Sequence, residues 1–198
     1  MTSKETLRER LKAFRAAMSD DDARSRSLKV KNNLFSLGEF KSARTVAFYV
    51  AKRESREVET IDMIRESLSM GKRILVPYVE FSTKRLRFSE ITDPDAQLFP
   101  GAFGIPEPRH QYRRPVQLNE MDLVIVPGIA FDRNGRRIGH GLGYYDRALR
   151  EILSINRKAK FIGIAYDFQI ADEIPSTPHD VPVHIVVTET RTFRAPAV

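Results

Sequence analysis

The sequence has no cysteine, so no disulfide holds it together and no thiolate can act as nucleophile or metal ligand. No run of about 18 apolar residues occurs, so no membrane-spanning helix is expected and no membrane partner is implied. The N-terminal stretch is polar and charged, unlike a secretory leader, and a cytoplasmic location is expected. Internal repeats and low-complexity segments are also missing. Positive charge is in excess, +7 over 198 residues, yet it never gathers into a long basic run. Only pairs occur, such as Lys52-Arg53, Arg113-Arg114 and Arg136-Arg137. Zinc-finger spacing and RNP-type aromatics are absent, so nucleic acid is not the expected partner. A soluble enzyme whose field concentrates anionic small molecules fits better.

An apolar fraction of 41% over this length suits one domain spanning 1–198. Its organising stretch runs from Val124 to Leu149. An apolar run ends in Pro127-Gly128, and a glycine-rich loop then opens into a helix near Tyr144. Gly139, Gly141 and Gly143 alternate before that helix. Arg136 and Arg137 stand on one side, Asp146 and Arg147 on the other. Close backbone approach, cations, a helix N-terminus and a carboxylate are the parts of a phosphate and metal site. Neither common nucleotide fingerprint fits. A Walker loop needs Lys-Ser/Thr after its glycines, and the G-x-G-x-G spacing here is not the dinucleotide pattern. Asp146 is either a helix-dipole partner or a ligand for nucleotide-borne Mg²⁺. Asp180, alone, reads as a turn residue. His179 and His184 lack zinc spacing, and His140 either bonds phosphate or faces solvent. No nucleophile elbow is present.

Around that stretch the chain alternates helices and buried strands. Thr2 and Glu5 have capping-box spacing before a helix whose inner face is Leu7, Leu11, Phe14 and Met18. Lys4 and Arg8 share another face, as a solvated edge or a polyphosphate clamp. Ser19-Asp20-Asp21-Asp22 starts a second helix, with Ala23, Ser27, Val30, Leu34 and Leu37 inward and Gly38 as terminator. Residues 1–38 are thus a helical segment packed on the domain. Thr45–Val50, a helix marked by Val58, Ile61, Ile64 and Leu68 and stopped at Gly71, and Arg73–Val79 make a parallel βαβ unit. Glu57 and Glu59 sit at its mouth, either as helix-start acids or at a ligand site beyond the strand ends. Lys84–Glu90 is an edge strand, and 93–115 is a proline-rich loop carrying Phe103. Asp122–Val126, Lys160–Tyr166 and Val183–Thr188 are further strands. Asn134-Gly135 marks a hairpin turn, and the tail after Phe193 is expected to fray.

The phrase VPGIAFDRNGRRIGHGLGYYDR resembles the signature of the 5-formyltetrahydrofolate cyclo-ligase (5,10-methenyltetrahydrofolate synthetase) family. KETLR at Lys4–Arg8, REVET at Arg56–Thr60, GIPEP at Gly104–Pro108 and the late Asp180 follow the family order along nearly the whole chain. The resemblance implies an α/β domain with a mostly parallel central sheet flanked by helices, related to the sugar-phosphate isomerase and CoA-transferase group. It implies ATP as co-substrate, Mg²⁺, and conversion of 5-formyltetrahydrofolate to 5,10-methenyltetrahydrofolate with release of ADP and phosphate. In that chemistry the formyl oxygen takes the γ-phosphoryl group, N10 attacks the activated carbon, and phosphate leaves. Lys4, Arg8, Arg137, Ile138, Gly139, His140, Gly141, Leu142, Gly143, Tyr144 and Tyr145 match ATP-binding positions. Val50, Glu57, Phe103 and the segment His140–Tyr144 match folate-contacting positions. Asp146 and Asp180 match metal ligands. No residue is assigned as acid or base, and Arg137 and Tyr144 are expected to position the reactants. The chain departs from the pattern at His140, where an arginine or another polar side chain is frequent, and at Leu142, where glycine or lysine is common. Arg136, Arg137 or Arg147 would supply the missing cation. Two rivals differ in class: a related-fold sugar-phosphate or CoA-ester enzyme needing no ATP, and a basic, non-catalytic nucleotide- or RNA-binding module.

Overall fold

The computed structural model of the chain describes residues 3–196. Helices α1 (Lys4–Ala17), α2 (Asp20–Ser36) and the short α3 (Gly38–Ser42) come first. Ser3 caps α1, its Oγ accepting the Thr6 N–H at 3.1 Å, and Ser19 caps α2 through the Asp22 N–H at 3.1 Å. The cap expected at Thr2 lies outside the described residues. Gly38 does not terminate α2. Leu37, with extended backbone at ψ 141°, breaks the helix, and Gly38 is the first residue of α3.

Strand β1 (Thr45–Ala47), helix α4 (Ile61–Ser69) and β2 (Arg73–Glu80) form the expected parallel unit, with Val46 beside Ile74. Val58 is buried but precedes α4 instead of belonging to it. Strand β3 (Arg85–Ile91) returns antiparallel along β2. The proline-rich stretch is more ordered than its composition suggests: α5 (Pro94–Gln97) leads into a hairpin of β4 (Leu98–Pro100) and β5 (Pro106–Pro108). Next come β6 (Leu123–Val126) and a second hairpin, β7 (Ala130–Asp132) with β8 (Arg137–Ile138), which turns at Asn134-Gly135. Helix α6 (Tyr144–Ile155), β9 (Lys160–Ile164), β10 (Ile170–Ala171), β11 (Ile185–Val187) and β12 (Thr192–Arg194) complete the described chain. The main sheet runs β12-β11-β9-β6-β1-β2-β3; its five inner strands are parallel and both edges antiparallel. The tail does not fray after Phe193. It pairs with β11 as β12, and the Ala195 N–H still donates to the His184 carbonyl at 2.9 Å.

Strand periodicity sorts the core onto two faces. Val46, Leu123, Ile125, Ile162 and Ile164 meet Val30 and Leu34 of α2 and Met63 and Ile64 of α4. Their neighbours Ala47, Val124, Val126 and Phe161 meet Ala148, Leu149 and Ile152 of α6. Each large apolar side chain so buried contributes about 1.5–3 kcal/mol relative to exposure. A third cluster packs Leu7 and Leu11 of α1 against Ile129, Ala130, Ile138 and Ile174. Phe14 is not part of the buried face, being 58% exposed; Arg15 takes that place at 4%. Among the described residues no helix is long and apolar enough to cross a membrane.

The β7–β8 hairpin places the glycine loop, and a buried carboxylate shapes it. Asp132 is fully buried; its Oδ1 accepts the Asn134 and Arg136 N–H groups at 2.9 and 3.0 Å, and its Oδ2 accepts the Ile174 N–H at 3.0 Å. Replacing it strands three donors. Asp132→Ala is expected to lower stability by about 2–4 kcal/mol, or roughly 5–15 °C in a thermal melt of a chain this size. An unchanged melting temperature would show that the hairpin holds its shape without this carboxylate.

Candidate active site

The parallel strands end on one side of the sheet, and the segments that carry REVET, the glycine loop and Asp180 leave from the ends of β1, β6 and β9. Gln169, almost fully buried, ties two of these exits together. Its Nε2 donates to the carbonyls of Gly128 and Ile129 at 3.0 Å each, and its Oε1 accepts the Tyr166 N–H at 2.8 Å.

From Arg137 to Asp146 the chain makes the open loop. Gly141 (φ 98°) and Gly143 (φ 67°) take left-handed conformations that side chains rarely adopt, and Gly143 is the N-cap of α6. Arg137 lies beneath the loop with 4% of its side chain exposed, its Nη2 bonded to Asp146 Oδ1 at 2.8 Å. The same oxygen accepts the Val181 N–H at 3.3 Å. The neighbouring Asp180 accepts from Lys4 Nζ and from the Thr177 N–H, both at 2.8 Å. Burial opposes ionisation of Asp180, but Lys4 and the Thr177 N–H hold it below the usual carboxylate range. Arg8 donates from Nε to the Gly139 carbonyl at 3.0 Å and points its Nη2 toward Gly141. Lys4 and Arg8 therefore belong to the loop's surroundings and are not a detached solvated edge. A cavity of about 350 Å³ opens beside this network, lined in part by Asn134, Arg136, Arg137, Asp180 and Pro182.

The carboxylate of Glu57 is the second centre. Its Oε1 lies 3.5 Å from both Arg15 Nη1 and His140 Nε2, and only 14% of its side chain is exposed. Burial pushes its pKa upward; the His140 hydrogen bond and the Arg15 and His140 charges outweigh that, and the net shift is downward. Around it, the Tyr49 hydroxyl donates to the Val58 carbonyl at 2.8 Å, and the Tyr166 hydroxyl to the Glu57 carbonyl at 3.1 Å. Burial and the Glu57 charge push the Tyr49 phenol up. Tyr145 is pushed up as well, chiefly by burial, so it stays a neutral donor. Val50 is 5% exposed in the core beside Tyr49 and Val58.

His140 thus joins the glycine loop to Glu57, and the two motifs meet at one place. Phe103 sits at the rim, 59% exposed, its ring centroid 6.3 Å from that of Tyr144. Ile138 does not face that place: it is 1% exposed in the α1 cluster, and its carbonyl accepts the Ile129 N–H at 2.7 Å. Leu142 is 55% exposed. Of the arginines that could stand in for a lysine there, Arg136 holds Glu173 at 3.1 Å and Arg137 holds Asp146. Arg147 remains beside the loop, donating to the Leu142 carbonyl at 3.1 Å with its guanidinium 5.1 Å from the Tyr144 ring centroid. Asp146 and Asp180 do not form a cage for a metal. Among the described residues no three histidine, cysteine, aspartate or glutamate side chains gather as a metal site, and both aspartates already face cations. They fit only an ion that brings most of its own ligands, as Mg²⁺ does when bound to phosphates and water.

A model described as the 5-formyltetrahydrofolate cyclo-ligase family matches residues 1–189. The chain belongs to that family. The 5-formyltetrahydrofolate cyclo-ligase of Escherichia coli K12 is 32% identical over 152 residues, covering 76% of this chain and 81% of that protein. A probable 5-formyltetrahydrofolate cyclo-ligase of Caenorhabditis elegans is 29% identical, covering 96% and 94%. The solved structure of Aquifex aeolicus 5,10-methenyltetrahydrofolate synthetase superposes with a TM-score of 0.83 at 35% identity, over 98% of this chain and 94% of that one. A Mycoplasma pneumoniae 5,10-methenyltetrahydrofolate synthetase gives 0.74 at 25% identity, over 95% and 99%.

Three residues that hold this cyclo-ligase site together carry little signal in the sequence: Arg15, Gln169 and Tyr166. Each is a polar side chain whose partner lies tens of residues away. Two expectations follow from the geometry. A lowered folded pKa stabilises fully above the unfolded carboxylate value and is lost as pH falls through the folded one. Without Arg15, burial weighs more heavily on Glu57, so Arg15→Met is expected to move the acid limb of a melting-temperature profile to higher pH. Coincident limbs would show that Arg15 does not set the charge of Glu57. Asp146→Ala leaves Arg137 buried without its counter-charge, at a cost of about 3–5 kcal/mol; Arg137→Met combined with Asp146→Ala should recover much of it. Equal melting temperatures for the single and double variants would show that Arg137 does not depend on this pair.

Proposed function

We propose that the chain catalyses the ATP-dependent cyclisation of 5-formyltetrahydrofolate to 5,10-methenyltetrahydrofolate, releasing ADP and phosphate. One observation carries this reading beyond family membership: the α1 cations reach the glycine loop and its neighbour Asp180, and His140 of that loop reaches the largely buried carboxylate of Glu57, so the two motifs meet at one place. Two reactants that must meet need one such place.

In this reading Lys4, Arg8 and the backbone and side chains from Gly139 to Tyr145 hold the ATP phosphates, with Arg137 bracing the loop from below and Ile138 contributing only its place in the loop. The N-terminus of α6 adds dipole charge at the same point. Glu57 hydrogen-bonds the pterin ring, which presents amino and N–H donors to an ionised carboxylate. Val50, Phe103 and the segment His140–Tyr144 border the folate. The formyl oxygen attacks the γ-phosphorus and ADP leaves. N10 then attacks the formyl carbon, the new C–N bond closes the ring, N10 gives up its proton, and phosphate departs with the former formyl oxygen. Such a path asks the protein for alignment and charge neutralisation more than for covalent chemistry. Arg137 and Tyr144 supply alignment: Arg137 by fixing the loop from below, Tyr144 by bordering both reactants. Asp146, with Asp180 as a second carboxylate, would hold the Mg²⁺ carried by ATP, which neutralises phosphate charge when bound.

The deciding experiment mixes protein, Mg²⁺-ATP and 5-formyltetrahydrofolate and follows methenyl absorbance. Turnover that requires ATP is expected; folded protein with no signal would overturn the reading. Glu57→Gln is expected to raise the KM for the folate at least about tenfold, the equivalent of about 1.4 kcal/mol, while the KM for ATP changes little. Equal weakening of both would assign Glu57 a structural role instead.

A further inference from the structure

The GIPEP phrase contains a buried carboxylate that the folate reading does not use. Glu107 is 7% exposed in β5, directly across the hairpin from Phe99. Its Oε1 accepts the Val79 N–H at 3.3 Å, where β2 ends. Its stem runs under Gly101. A Cβ on Gly101 would stand 2.8 Å from the Glu107 Cβ and Cγ and 2.9 Å from its Cδ, so glycine there is required by close approach. Burial pushes the Glu107 carboxyl up, against the opposing pull of the Val79 N–H, Arg113 and the Ala102 N–H.

Above this side chain, residues 101–105 form a tight turn. Gly101 donates to the Ile105 carbonyl at 2.9 Å, Gly104 to Gly101 at 3.2 Å, and Ile105 to Ala102 at 3.0 Å. Phe103 lies at the tip with φ 57° and ψ 18°, a left-handed conformation that is uncommon for a residue with a side chain. Strain of this kind persists only where surrounding contacts over-determine it, and it gathers at ligand sites. The contacts here are on two sides: Glu107 from below, and Lys52 Nζ, which donates to the Phe103 carbonyl at 3.5 Å. The product of the strain is a ring presented to Tyr144 at the rim, not folded back into the core.

We propose that Glu107 is a positioning residue for the reduced folate: by occupying the space beneath Gly101 and binding the end of β2, it holds the 101–105 turn so that Phe103 faces Tyr144 across the site. Glu107 itself touches no reactant. The proposal rests on the folate reading for its consequence, but its structural half can be tested without any folate.

The chain has no tryptophan, so Phe103→Trp installs the sole indole at the rim, excited selectively beyond the tyrosine absorption band. In that background Glu107→Ala should shift the emission of the free protein to longer wavelength as the ring leaves Tyr144 for solvent, and Glu107→Gln, which keeps the acceptor and the stem, should restore it. In the chain that retains Phe103, Glu107→Ala should raise the KM for 5-formyltetrahydrofolate about tenfold, the equivalent of about 1.4 kcal/mol, with the KM for ATP within about twofold. Gly101→Ala presses on the same contact from the other side and should reproduce the split, which covers the case of a Glu107→Ala chain that does not fold. Unchanged emission and folate KM in folded Glu107→Ala would overturn the proposal. So would a parallel loss of folate and ATP affinity in Gly101→Ala. A shift in emission together with absent turnover by the unaltered chain would instead count against the folate reading and leave the clamp standing.

Discussion

The Arg137–Asp146 pair is the interaction on which the site depends. Arg137 begins the two-residue β8 and Asp146 lies in the first turn of α6, so the pair joins the two ends of the glycine loop across its base. A loop with two left-handed glycines has much conformational freedom to lose, and a fixed base reduces what remains to be ordered when a ligand arrives. Breaking the pair would therefore do more than remove a charge. The carboxylate also receives the Val181 N–H, which brings Asp180, and through it Lys4, up to the same loop. The cation that sits under the loop is already neutralised by Asp146, and Lys4 is paired with Asp180. The positive charge left beside the loop is that of Arg8, Arg147 and the helix N-terminus.

Glu57 poses the opposite problem. A carboxylate removed from water is expensive to keep charged unless cations and donors surround it. Arg15 does this from α1 and His140 from the glycine loop, so the charge state of Glu57 depends on the two elements whose other residues, Arg8 and Gly139, join each other. Helix α1 thus has three tasks with one geometry. Leu7 and Leu11 anchor it, Lys4 and Arg8 reach the loop, and Arg15 points inward to Glu57. These positions share the helix because residues four apart lie one above another.

Much of the fold was legible because strands between two helical layers must be apolar on both faces. Thr45–Val50, Arg73–Val79 and Asp122–Val126 announce themselves that way, and Asn134-Gly135 and Gly71 mark a turn and a helix end by chemistry that is local. What stayed hidden was non-local. The α1 pattern allowed either Phe14 or Arg15 after Leu11, and hydrophobicity favoured Phe14. The choice was made by Glu57, 42 positions along the chain from Arg15. Asp132 gave no signal of its own in the sequence, since its third donor comes from Ile174. Gly38 read as a stop because glycine usually is one, whereas extended Leu37 had already ended the helix. Strands of two or three residues, such as β8, β10 and β12, are too short for periodicity to show. At the site, the loop and its flanking charges were visible as motifs, but no spacing could reveal that Arg137 lies beneath the loop instead of facing a ligand, or that Ile138 turns into the core.

The departures at His140 and Leu142 can be weighed in the same terms. A histidine in place of arginine at 140 reaches Glu57 with one nitrogen and leaves the other free, so it bridges the two halves of the site without filling the space between them. An arginine there would bring a fixed charge and a wider fork of donors, and Arg15 already supplies a fixed charge to Glu57. Leu142 offers no side-chain donor, but its carbonyl is held by Arg147, whose guanidinium stands against Tyr144. That places a cation where the loop meets the rim, next to the ring that Phe103 faces. The chain thus keeps the charge and moves it from the loop's own side chain to the first turn of α6, where the backbone N–H groups already point the same way.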